Sequence, residues 1–198
     1  MFKIRFAVEN DAIDILDIYS PYVQYSSVTF ECEVPRSFEM QRRINMVNNT
    51  YPWVVCEKDG KVAGYAYAHS FAERAAYNWS VELSVYIRED CQRCNMASAL
   101  YYAVIELLKL QGFCTAFARI TVPNEKSVAF HNAFGFSEAG RLHNAGYKLG
   151  AWHDVLIMEK PMAESFSRAP SQIKPITQID KELSEDLFVK AEKIIRER

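Results

Sequence analysis

Apolar positions change their period several times along the chain, and each change marks an element. Residues 2–7 alternate, with Phe2, Ile4 and Phe6 set against Lys3 and Arg5, which predicts a first strand. Asn10 is a favourable N-cap for a helix carrying Ile13, Leu16 and Ile18. Pro21 interrupts that pattern, and a second short helix to Ser26 is expected beyond it. Ser37 can cap a polar helix that places Met40, Ile44 and Val47 together. Residues 53–57 and 62–68 read as strands, and Asp59-Gly60 between them is a strong two-residue hairpin signal. A strand follows at 79–87, then a long helix from about Asn95 to Leu110 that Gly112 ends. A strand at 115–122, a helix at 126–134 and strands at 136–143 and 155–160 complete the pattern. Helices interleaved with strands after an antiparallel run predict an α/β fold with a mixed central sheet flanked by helices.

The character changes after residue 162. Residues 165–178 carry Pro170 and Pro175 and read as a linker. Residues 180–198 present Leu183, Leu187, Ala191 and Ile194 on one helical face, fit to dock on the same domain or on a partner subunit. The expected organisation is one domain over 1–162 and a linker with a helical extension over 163–198.

Composition narrows the partners. At 198 residues, with a net charge of −2, the chain offers no electrostatic reason to bind nucleic acid or an anionic membrane. No apolar run approaches the roughly 18 residues of a membrane span, and the N-terminus lacks the apolar core of a signal peptide. The five cysteines are odd in number and scattered, which suits reduced thiols in the cytoplasm. Cys91 and Cys94 form a C-x-x-C pair, but no second pair or spaced histidines accompany it, so no metal is expected.

Three stretches carry chemistry. In 81–87 the residues Val81, Leu83, Val85 and Ile87 share one apolar face, and Glu82, Ser84 and Tyr86 share the other. Glu82 is then either part of a solvated sheet face or a general base inside a strand. Gln92-Arg93-Cys94-Asn95-Met96-Ala97-Ser98 leads from that strand into the long helix, a position where free N–H groups and the helix dipole favour a phosphate. An ordinary helix start has the same outline. His131, in the 122–136 stretch, is either a structural helical histidine or a proton carrier near neutrality.

These stretches resemble, in order, the motifs of the GNAT N-acetyltransferases. Gln92, Asn95 and Ala97 align with the pyrophosphate loop Gln/Arg-x-x-Gly-x-Gly/Ala, with asparagine at the first glycine. Asn124 and Ser127 match Asn-x-x-Ser/Ala, and His131 stands where many members carry a tyrosine, ahead of Gly135-Phe136. Tyr51-Pro52-Trp53, Arg74 to Glu82, Gly146-Tyr147-Lys148 and Trp152-His153-Asp154-Val155 are similar to the phosphinothricin acetyltransferase family in particular.

The resemblance implies the GNAT acyl-CoA N-acyltransferase fold, acetyl-CoA as co-substrate, no metal, and a homodimer. It implies direct attack of a small amino-acid-like amine, of the phosphinothricin or methionine sulfoximine type, on the thioester. Glu82 would be the general base and His131 a second catalytic group that protonates the departing sulfur. Val85, Tyr86 and Ile87 would offer backbone groups to the pantetheine arm. Arg93, Cys94, Asn95, Met96, Ala97 and Ser98 would cradle the pyrophosphate, and Asn124 would touch the CoA chain. Phe30, Arg74 and Tyr77 would meet the acceptor, while Ala72 stands where herbicide-resistance members carry a lysine. Two alternatives remain open: acetylation of a protein N-terminus or lysine, and a non-catalytic CoA-binding protein.

Overall fold

The computed structural model describes residues 1–196; Glu197 and Arg198, the end of the expected C-terminal helix, lie outside the described residues. In chain order the elements are β1 (Phe2–Phe6), α1 (Ala12–Tyr25), α2 (Ser37–Asn48), β2 (Trp53–Lys58), β3 (Lys61–Ser70) and β4 (Ser80–Ile87). They continue with α3 (Met96–Gln111), β5 (Thr115–Val122), α4 (Glu125–Ala133), β6 (Ser137–Lys148), β7 (Ala151–Pro161) and α5 (Lys181–Glu192). The strands form one seven-stranded sheet in the order β1-β2-β3-β4-β5-β7-β6. Every pairing is antiparallel except β4 with β5.

Local chemistry explains most boundaries. Asp59 and Gly60 both have positive φ, 53° and 83°, as a tight β2–β3 turn requires. Helix α1 runs unbroken through Pro21, where two pieces were expected. The lost backbone bond is outweighed by Ile15, Ile18, Tyr19 and Val23, all buried on one side of that helix. Asn10 lies in a short 3₁₀ turn, Glu9–Asp11, and caps nothing. Ser37 is the first residue of α2 rather than its cap, which is Arg36 without a side-chain bond. β6 and β7 extend well past the expected 143 and 155 and meet at Leu149 and Gly150, with φ of 51° and 80°. Most of β6 is exposed, so it has no buried face to impose an alternation that sequence could reveal.

The sheet has two covered faces. On one, Val81, Leu83 and Ile87 of β4 pack with Leu100, Val104 and Leu108 of α3. On the other, Tyr65 and Tyr86 pack with Ile15, Ile18 and Tyr19 of α1 and with Met40 and Ile44 of α2. The face that carries Glu82 is therefore no solvated surface, and Glu82 is only 9% exposed.

The extension belongs to the core. Ile176, Phe188 and Ala191 are buried in the same cluster as α3. Asp180 caps α5 through its side chain, and Gln111 of α3 donates to the carbonyls of Thr50 and Lys174 at 2.6 and 2.8 Å. β1 is an edge strand, and the Glu192 carboxylate accepts from the Ile4 N–H at 2.7 Å, occupying one of its unpaired donors. Among the described residues no helix is long and apolar enough to cross a membrane, and no cluster of His, Cys, Asp and Glu could hold a metal. Cys91 and Cys94 are both free thiols.

Candidate active site

The site begins where two strands part. β4 and β5 pair only at Ser80↔Thr115, Val81↔Ala116 and Glu82↔Phe117, although β4 continues to Ile87 and β5 to Val122. Beyond Glu82 the β4 backbone faces an opening rather than a neighbouring strand, and its polar groups there need partners from elsewhere. A cleft of about 430 Å³ forms at this opening and brings Val85 and Ile87 together with the 93–98 loop and His131.

The loop meets α3 with its donors free. Asn95 is left-handed, with φ 63° and ψ 15°, and its side chain makes no capping bond. The first helical bond runs from Ala99 N–H to the Asn95 carbonyl at 3.0 Å, so the N–H groups of Met96, Ala97 and Ser98 precede the helical ladder. Three free amides at the positive end of a 16-residue helix form an anion-binding surface. Asparagine tolerates this geometry better than other non-glycine residues, which is how the loop keeps its shape without the customary glycine.

Several expected contacts are limited to backbone. Cys94 and Met96 have buried side chains, 7% and 1% exposed, and Cys94 does not line the cleft. The Tyr86 ring stacks on Tyr65 at 5.3 Å, on the sheet face opposite the α3 cluster. The Ile87 carbonyl already accepts from the Tyr22 hydroxyl at 2.8 Å. Asn124 does not line the cleft; its Oδ1 caps α4 by accepting from the Ser127 N–H at 3.1 Å.

Glu82 sits at the last position of β4 that pairs with β5. Its Oε2 is enclosed and lies 3.1 Å from the Nε of Arg119, an ion contact without hydrogen-bond alignment. Sequence reasoning missed Arg119. The available signal is that Arg119 follows Phe117 by two in β5, placing it on the face of Glu82's register partner. Arg119 also lies over the Phe71 ring at 5.7 Å, and Phe71 stacks on Phe117 at 4.1 Å and meets Tyr77 at 5.8 Å. Tyr77 is thereby connected to the surroundings of Glu82.

Arg74 is exposed on the turn after β3 and makes no side-chain bond among the described residues, leaving its guanidinium available. Phe30 packs against Gly146, where an added Cβ would overlap its ring, and lies 6.3 Å from the His153 ring. No bond or ring contact joins Phe30 to Arg74 or Tyr77 among the described residues.

His131 is 6% exposed, with Nδ1 2.7 Å from the Ser127 carbonyl. That contact assigns the proton to Nδ1 and leaves Nε2 as an acceptor. Burial pushes its pKa below 6.5, with the Ser127 bond opposing only in part. At neutral pH His131 is thus a neutral imidazole, poorly suited to donate from Nε2 without first being protonated there. Tyr101, fully buried, lies 5.3 Å from the His131 ring, and its hydroxyl has no hydrogen-bond partner among the described residues. Desolvation and the nearby Glu82 charge hold its pKa well above 10.

The depressed His131 pKa predicts a stability change with pH. The unfolded chain binds this proton more readily than the folded one, so the contribution is complete above pH 6.5 and is lost as pH falls toward the lower folded value. Chemical denaturation across that window should show His131→Asn flattening the slope relative to the parent protein. Identical slopes would mean that His131 does not titrate as described.

A family model described as an acetyltransferase (GNAT) domain matches residues 4–157. A phosphinothricin N-acetyltransferase of Streptomyces viridochromogenes is 37% identical over 177 residues, covering 89% of this chain and 96% of that protein. An L-methionine sulfoximine/L-methionine sulfone acetyltransferase of Salmonella typhimurium is 26% identical over 165 residues, 81% of this chain and 95% of that one. Among solved structures, a GNAT superfamily phosphinothricin acetyltransferase from Sinorhizobium meliloti in complex with acetyl-CoA superposes with a TM-score of 0.83. It is 32% identical, and the match covers 89% of this chain and 97% of that one. With a parted sheet, a helix N-terminus stripped of its cap and a family model spanning most of its length, this chain belongs to the GNAT acetyltransferase family.

Proposed function

We propose that this protein transfers an acetyl group from acetyl-CoA to the amine of a small amino-acid-like acceptor of the phosphinothricin or methionine sulfoximine type. The observation that carries the reading is the juxtaposition at the parting of β4 and β5. There a strand edge without a neighbour and the free amides of α3 border one opening, and Glu82 stands at the last pair of residues before β4 and β5 separate. The free edge of β4 from Val85 suits the amides of a pantetheine arm, and the 93–98 loop suits its pyrophosphate.

A thioester is already activated, so the amine attacks it directly. The acceptor must first lose a proton, since amino-acid amines are charged near neutrality. Glu82 takes that proton, directly or through a water, a contribution of about 10²–10⁴-fold. A backbone N–H near Val85 stabilises the negative charge that develops on the carbonyl oxygen. His131 accepts a hydrogen bond at Nε2, and it returns a proton to the departing sulfur only after gaining one there. Arg74, with its guanidinium available, holds the acceptor's anionic group, with Phe30 and Tyr77 against its side chain. We assign the enzyme to the cytoplasm as a homodimer on family resemblance, and light scattering of the purified protein tests the dimer.

Thiol release from acetyl-CoA, followed across an acceptor panel, tests the whole reading. The panel comprises phosphinothricin, methionine sulfoximine, methionine sulfone, neutral amines and peptides with free N-termini. Turnover greatest with an anionic amino-acid analogue is the expected result. Preference for peptides would move the substrate to proteins, and acetyl-CoA binding without turnover would leave a non-catalytic CoA-binding protein.

A further inference from the structure

We propose that the C-terminal segment acts as a positioning element for the phosphate loop, through the backbone N–H of Arg196. This rests on the reading of residues 93–98 as the pyrophosphate cradle. Two non-glycine residues in that loop are left-handed, Arg93 at φ 67° and Asn95 at φ 63°, and such residues persist only where surrounding structure holds them. Between them stands Cys94, and it is held at two points. Its thiol donates to the Cys91 carbonyl at 3.0 Å, and its carbonyl accepts from the Arg196 N–H at 2.9 Å.

The second contact fixes more than one atom. A trans peptide is planar, with its C=O and N–H pointing in opposite directions. Holding the Cys94 carbonyl toward the tail therefore aims the Asn95 N–H the other way. That N–H has no acceptor among the described residues, and it joins the free amides of Met96, Ala97 and Ser98. If this peptide rotated, a carbonyl oxygen would replace a donor beside the phosphates.

Arg196 is itself well placed to hold the peptide. Ile194 and Ile195 pack against the main core, and their N–H groups bond to the carbonyls of Ala191 and Glu192. The tail thus continues α5, which is packed on α3, the helix that the loop opens.

Proline removes the relevant donor and alanine keeps it, which defines the experiment. Acetyl-CoA affinity by calorimetry, steady-state kinetics and hydrogen exchange are compared for the parent, Arg196→Pro and Arg196→Ala. Arg196→Pro is expected to weaken acetyl-CoA binding about fivefold, with a matching rise in its KM, the size associated with one backbone hydrogen bond. kcat at saturating acetyl-CoA and the KM for the amine should not change. Arg196→Ala should stay within about twofold of the parent, and faster exchange in Arg196→Pro should be confined to the Ala99 N–H, which bonds to the loop's Asn95 carbonyl. Equal affinity in parent and Arg196→Pro overturns the proposal, as does an equal loss in Arg196→Ala. Exchange that spreads over α5 and β1 also overturns it, because the tail would then support the fold and not the loop. A parent protein that fails to bind acetyl-CoA would instead overturn the reading of the loop.

Discussion

Glu82→Gln is expected to lower kcat/KM by about 10²-fold or more at neutral pH. The substitution preserves shape and removes the proposed base. The loss should shrink as pH rises toward the acceptor's own ammonium pKa, because a neutral amine no longer needs deprotonation. Affinity for acetyl-CoA should change little, since Glu82 lies at the last residue of β4 paired with β5, away from the 93–98 loop proposed to hold the nucleotide end. The Arg119 contact adds one effect to watch. Glutamine removes the ionic partner of a half-exposed guanidinium, which costs little at a site open to water. The deciding measurement is the pH–rate profile of both proteins under subsaturating acceptor. A variant that matches the parent at neutral pH would remove Glu82 from the mechanism.

Loss of the C-terminal extension should be at least as disruptive, to folding rather than to chemistry. Phe188 is 7% exposed, meets Phe6 edge-to-face at 5.0 Å and lies in the cluster built on α3. Phe188→Ala should cost about 3–4 kcal/mol, by lost burial and the cavity left behind. That is a large part of the roughly 5–15 kcal/mol that keeps a domain folded. Ending the chain after Met162 removes Ile176, Phe188 and Ala191 together, uncovers the β1 edge and leaves the Gln111 amide without the Lys174 carbonyl. Such a protein should be largely insoluble or unfolded, whereas a purely peripheral tail would be dispensable. Denaturant midpoints for the point variant and soluble yield for the truncation are the measurements. An unchanged midpoint in Phe188→Ala would show that α5 contributes nothing to the core.

Elements with a strong period or a specific turn are legible in the residues alone. The Asp59-Gly60 hairpin, the strand at Thr115–Val122 and the helix ending at Gly112 all lie where periodicity and turn chemistry put them. The left-handed Asn95 is likewise legible, because few residues other than glycine and asparagine suit that position. The misplacements share a cause. Pro21 carries a strong local signal, yet the buried side chains of α1 override it. β6 is long but mostly exposed, so its pairing with β7 comes from backbone bonds that leave no hydrophobic trace.

The sequence by itself determined the α/β pattern, the order of the motifs, the family and the candidate base Glu82, because each depends on residue type and local spacing. Tertiary structure decided what those residues can do. It covered the Glu82 face with α1 and α2, set Arg119 against the carboxylate, turned the Asn124 side chain into a helix cap and buried His131 as a neutral imidazole. It also brought Arg196 to Cys94 from the far end of the chain. Contacts between residues distant in sequence depend on how faces pack and where strands part, and neither is encoded in the period of a single segment.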